Sequence, residues 1–152
     1  MKRSLLTIFL VGILSLPTFG LSEEEIQMLV TRTTIIALLQ TLDGTRPMQG
    51  VVQTSPGTFL GRGNGINNTE RTVVWSTSNH LGVVSVTVVE DGIGARRNFD
   101  ILRTVLNRDF SLQNTISETN NLRGILVHEG RTYRFTIDYT SRQKAMAITR
   151  QF

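Results

Sequence analysis

The tightest constraint on this chain is the alternation in RTYRFTIDYT, residues 131–140. Tyr133, Phe135, Ile137 and Tyr139 are large and apolar, while Thr132, Arg134, Thr136 and Asp138 between them are polar. A β-strand sends successive side chains to opposite faces and separates these two sets cleanly. Such a strand has one buried face and one wet face, so its sheet needs a cover. The neighbouring segments fit the same sheet. LRGILVHEG ends in the hairpin signal Glu129-Gly130, and SRQ leads into KAMAITR, which together predict a C-terminal meander. Upstream, RTVVWST and GVVSVTVVE are rich in Val and Thr, and SNHL turns the chain between them.

The cover is supplied by one convincing helix. Ser22 and Glu25 form a capping box, Glu23 and Glu24 favour the positive end of the helix dipole, and Asp43-Gly44 supplies a stop. Ile26, Leu29, Val30 and Thr33 share one face. Ile35, Ile36, Leu38, Leu39 and Leu42 wrap most of the circumference, so the later turns are expected to be buried on several sides.

Residues 98–108 are ambiguous. Phe99, Leu102, Leu106 and Phe110 could line a helix, and Phe99, Ile101 and Val105 could line a strand. The alternation of DFSLQNTI and the strand preference of Thr, Val and Phe favour two strands turning at Asn107-Arg108. The expected fold is therefore mainly β with an N-terminal α-helix. An antiparallel meander of eight or nine strands curls into a small barrel or strongly bent sheet, with the helix packed on or in it. No sequence repeat and no long polar linker divides residues 21–152, which are expected to form one domain.

Residues 1–20 have the pattern of a secretory signal peptide. Lys2 and Arg3 precede the apolar LLTIFLVGILSL, and Pro17, Thr18 and Gly20 surround a plausible cleavage point. The alternative is an uncleaved N-terminal anchor; after cleavage no stable transmembrane span is expected. The chain is thus expected to be exported, to a periplasm or the extracellular space. It has no cysteine among its 152 residues, so its stability must come from buried apolar area and not from disulfides. Removing Lys2 and Arg3 lowers the formal charge from +4 to +2, which leaves no electrostatic footprint for nucleic acid.

The stretch GRGNGINNTE, residues 61–70, resembles a phosphate loop only superficially. A Walker loop needs Lys-Ser/Thr after its last glycine, and here Ile66-Asn67 follows Gly65. A dinucleotide fingerprint needs a different glycine spacing at a helix start. The stretch is expected to be a glycine-rich connection between strands, with Arg62 and Asn64 available for contacts. Arg96 and Arg97, after the turn signal Asp91-Gly92, could hold an anion, although a wet turn is the plainer account. Two histidines at no ligand spacing and the lack of cysteine predict no metal site, and no cofactor is implied. No nucleophile elbow or paired carboxylate is evident, which weighs against an enzyme.

The remaining lead is the interior of the curled sheet. Val84, Val86, Val88, Tyr133, Phe135 and Ile137 are expected to face it, either as packed core or as the lining of a site for an apolar ligand. The functional expectation is an exported, non-enzymatic binding protein for an apolar or amphiphilic small ligand or an envelope component. The alternatives are an interaction module acting through a sheet edge or glycine-rich loops, and, behind it, a small hydrolase. Oligomeric state is left open.

Overall fold

A computed structural model describes residues 20–152. All of the signal-like stretch but Gly20 lies outside the described residues. The chain runs α1 (Glu23–Leu42), β1 (Val52–Ser55), β2 (Thr58–Gly65), β3 (Thr69–Ser78), β4 (Gly82–Gly92), α2 (Ala95–Asp109), β5 (Ser111–Glu118), β6 (Asn121–His128), β7 (Arg131–Thr140) and β8 (Gln143–Arg150). The capping box forms as expected: the Glu25 amide donates to Ser22 Oγ at 3.1 Å, and the Ser22 amide donates to Glu25 Oε1 at 3.0 Å. Within α1 the hydroxyls of Thr31, Thr33, Thr34 and Thr41 donate to carbonyls four residues back, so these polar groups carry no unmet hydrogen bond into the packed helix. Ile35, Leu38, Leu39, Thr41 and Leu42 are buried.

The eight strands form one antiparallel sheet in the order β1-β2-β3-β4-β8-β7-β6-β5. This order repeats a single unit, a helix followed by a four-stranded meander, with the final strands β4 and β8 paired at the centre. The duplication is one of element order and strand pairing alone, and no sequence repeat announces it. Both helices contribute to one core with the same sheet face: Ile35, Leu39 and Leu42 of α1 and Phe99, Leu102 and Leu106 of α2 pack with Val86, Val88, Tyr133, Ile137 and Ile148. Two helices side by side cover that face, so the sheet has no need to roll up. It is open, with β1 and β5 as edges, and the expected barrel or strongly bent sheet does not form.

The second correction concerns residues 98–108, where the expected pair of strands is the helix α2. Ala95, Asn98, Phe99, Ile101, Leu102, Val105 and Leu106 are buried along it, a broad stripe of helical period. Burying Leu102 and Leu106 together with Phe99 and Val105 is open to a helix but not to a strand, and that outweighs the strand preference of Val and Phe. The expected C-terminal meander is present as β6, β7 and β8. Glu129 and Gly130 take φ of 50° and 77° in its first turn, as a two-residue hairpin requires.

The C-terminal end of α1 is fastened to β7 and β8. Tyr133 Oη donates to Asp43 Oδ1 and Oδ2 at 2.6 and 2.7 Å, Arg131 Nη1 lies 3.3 Å from Asp43 Oδ2, and Arg150 donates to the Leu42 carbonyl. Burial, then the hydrogen bond to Asp43, holds the Tyr133 hydroxyl protonated well above the usual phenol range. Tyr133→Phe is expected to lower stability by about 1–3 kcal/mol, since it strips a nearly inaccessible carboxylate of a donor. Urea unfolding measures the loss, and an unchanged midpoint would show that water replaces the hydroxyl.

Candidate functional site

The stretch GRGNGINNTE lies mainly in strands, which corrects the expectation of a loop. Gly61 to Gly65 belong to β2, Thr69 and Glu70 open β3, and only Ile66, Asn67 and Asn68 turn the chain. Alternation then places Gly61, Gly63 and Gly65 on one face, in register with the helix-facing residues of β3. The result is a stripe of strand without side chains. A Cβ at Gly61 would stand 2.7 Å from the Gly50 carbonyl oxygen, and one at Gly65 would stand 2.2 Å from Thr69 Oγ1. The glycines therefore let the α1–β1 connection and the neighbouring strand lie directly against the backbone of β2.

The turn itself is a clamp between the two helices. Asn67 and Gln27 of α1 exchange amide hydrogen bonds at 3.0 and 3.1 Å, and Asn67 Nδ2 also donates to Asn98 Oδ1 of α2 at 2.7 Å. Asn67 and Asn68 sit at φ of 57° and 58°, a left-handed conformation that asparagine tolerates better than most side chains.

Beneath the helices a row of charge crosses the sheet. Gly63 of β2 pairs with Arg71 of β3, Arg71 with Glu90 of β4, and Glu90 with Lys144 of β8. Lys144 is the only lysine after Lys2, and it is buried. Its Nζ lies 2.8 Å from Glu90 Oε1, with the two side chains 7% and 8% exposed. Asn98 Nδ2 donates to Glu90 Oε1 at 3.0 Å and to the Ile66 carbonyl at 3.0 Å. Burial alone would raise the Glu90 pKa, but Lys144, Arg71 and the Asn98 amide together hold it below the ordinary glutamate range. The carboxylate is ionised, and the row carries two cations for one anion.

Arg71 is the member left over. Its Nε is buried without a hydrogen-bond partner, and among the described residues its electrostatic partner is Glu90, while burial pulls its pKa below the usual arginine value. This guanidinium lines a cleft of about 160 Å³ between α1, the α1–β1 connection and the glycine stripe. Thr34, Ala37, Leu38 and Thr41 form the α1 wall, residues 46, 47 and 49–51 close one side, Gly61 to Asn64 give the β2 edge, and Arg71, Val73 and Trp75 come from β3. A smaller void of about 40 Å³ continues past Arg71 towards Glu90 and Asn98. The outer sheet face also holds a hollow, of about 470 Å³, bounded by Ile116, Arg123, Arg134, Thr136 and Ala147. Its polar residues lie at or near the surface, and none is a buried group in want of a partner.

The residues singled out in the sequence are divided by this geometry. Arg62 and Asn64 line the cleft. Arg96 and Arg97 open α2 and are occupied: Arg96 pairs with Asp100 at 3.3 Å and donates to Asn120 at 2.6 Å, and Arg97 donates to Gln27 at 3.2 Å. Val86, Val88, Tyr133, Phe135 and Ile137 lie in the core beneath the helices, and none of them lines the cleft. At Val84 the strand bulges, so that Val83 packs against the core in its place. Arg71, Glu90 and Lys144 were missed because they lie far apart in sequence. The available signal was that each stands at or near the end of an apolar helix-facing stripe, Arg71 before Val73 and Trp75, Glu90 after Val86 and Val88, and Lys144 before Met146 and Ile148. Among the described residues no three His, Asp or Glu side chains gather to hold a metal ion, and no helix is long and apolar enough to cross a membrane. Comparison with protein-family models, with characterised proteins and with solved structures finds no match.

Proposed function

We propose that the protein is a non-enzymatic binding protein for a small amphiphilic ligand, held in the cleft between α1 and the glycine stripe. The carrying observation is the composition of that cleft: Arg71, whose buried Nε has no hydrogen-bond partner, among Ala37, Leu38, Val51, Val73 and Trp75. A few polar groups set in apolar walls orient a ligand and shield it from water, which is the usual make-up of a small-molecule site. The sequence of residues 1–20 supports export, so the ligand is one met outside the cytoplasm.

Native mass spectrometry of protein purified from its own host tests this reading. The expected result is a retained small molecule, or its binding on addition of an extract, and its loss in Ala37→Leu, which fills the cleft without touching a charge. Retention unchanged by Ala37→Leu would place the ligand elsewhere. A second reading is an interaction module. It rests on the exposed edge strand β5, where Ile116 is 50% exposed, and it predicts that Ile116→Lys abolishes association with a partner protein while leaving the cleft intact.

A further inference from the structure

We infer that the cleft recognises a carboxylate, a short monocarboxylic acid whose head group engages Arg71 and whose apolar tail lies along Ala37, Leu38 and Trp75. The inference rests on the cleft being the binding site and deepens that reading by naming the chemical class.

Three observations carry it. The first is the unmet donor: a buried guanidinium nitrogen without a partner is costly, and the planar fork of arginine fits a carboxylate with two parallel hydrogen bonds. The second is charge. Arg71, Glu90 and Lys144 leave one positive charge in excess in a largely dry row, and the short contact of Lys144 to Glu90 pairs those two with each other. One further negative charge balances the row. The third is size and lining. A volume of about 160 Å³ is close to that of a cavity that takes benzene, so the ligand has on the order of eight non-hydrogen atoms. Beyond Arg71 the walls are Ala37, Leu38, Val51, Val73 and Trp75 with Thr34 and Thr41, whose hydroxyls already donate to α1 carbonyls, while Arg46, Pro47 and Gln49 close one side. Arg62 and Asn64 bound the cleft from β2 and are exposed, and alternation with the glycine stripe sends their side chains towards the other face of the sheet.

Trp75 is the only tryptophan of the chain and lines the cleft, so its fluorescence reports occupancy. The protein from its own host, stripped of bound molecules by mild denaturation and refolding, is titrated with hexanoate, benzoate, hexanol and inorganic phosphate. Hexanoate or benzoate is expected to bind roughly 10–100-fold more tightly than hexanol, the advantage of a charge-assisted hydrogen bond. Arg71→Met is expected to erase that preference while leaving hexanol binding in place, which also shows that the variant folds. Arg71→Lys, which keeps the charge but not the fork, is expected to keep only part of it. Equal binding of hexanoate and hexanol, unaffected by Arg71→Met, would overturn the carboxylate assignment and leave the amphiphile site standing. Phosphate bound more tightly than either carboxylate would overturn it in favour of an oxyanion site. Silence of Trp75 to all four ligands, with Ala37→Leu also without effect on retained material, would remove the cleft as a site altogether.

Discussion

Replacing Glu90 with alanine is expected to cost the fold about 3–5 kcal/mol, the usual loss when one partner of a buried ion pair is removed. The reason is what remains. Lys144 Nζ loses the carboxylate 2.8 Å away, Arg71 loses the only anion in its row, and the Asn98 amide loses an acceptor. Two cations are then left under the helices with no counter-charge. Lys144→Met is expected to cost less, because Glu90 keeps Arg71 and Asn98 as neighbours. The double variant Glu90→Leu/Lys144→Met is expected to recover much of the single-site loss, since a well-packed apolar pair often equals a buried ion pair. Urea unfolding of the three variants at pH 7 decides this, and a Glu90→Ala loss below about 1 kcal/mol would mean that water reaches the row.

The same carboxylate sets an acid limb of stability. Its native pKa lies below the ordinary value of 4.5, so between the two values the unfolded chain binds a proton that the native chain does not. The contribution of Glu90 is therefore fully present above about pH 4.5 and is lost as pH falls from there through the lowered native value. In Lys144→Met the native pKa is less depressed, and the limb should be shallower.

The parts of the fold that were legible in the sequence are those whose signal is local. The capping box at Ser22, the stop at Asp43-Gly44 and the alternation of Tyr133, Phe135, Ile137 and Tyr139 each lie within one element, and each element forms where its signal stands. The signal for α2 was divided: Phe99 and Val105 fit either period, and the choice turned on strand propensities that tertiary burial overrides. Missing α2 also removed half of the sheet's cover, and with it the reason for the sheet to stay open. The cleft was half legible. Glycines at 61, 63 and 65 alternate with the period of a strand, and read that way they describe a bare stripe on one face rather than a flexible loop. Arg71, Glu90 and Lys144 come together only through the pairing of β3, β4 and β8, and that register has no mark in any single segment.

Alanine replacements along α2 give the second large effect. Phe99→Ala is expected to cost about 3–5 kcal/mol. Its ring is fully buried, stands 6.2 Å from that of Tyr139 and lies beneath two guanidinium groups, Arg96 at 5.6 Å and Arg103 at 4.9 Å. Those arginines reach on to the β5–β6 turn, Arg96 to Asn120 and Arg103 to the carbonyls of Glu118, Thr119 and Asn121. Removing the ring thus opens a cavity and loosens the support on which both arginines lie. Phe99 alone does not separate helix from strand, because either arrangement buries it. Leu102 and Leu106 do. A helix buries them beside Phe99, whereas a strand with Phe99, Ile101 and Val105 inward would turn them to solvent. Leu102→Ala and Leu106→Ala are each expected to cost about 2–5 kcal/mol, with Thr104→Ala, on the exposed side, within about 0.5 kcal/mol of the parent. Tolerance at both leucines, with heavy losses at Ile101 and Val105, would restore the two-strand arrangement and uncover half of the sheet.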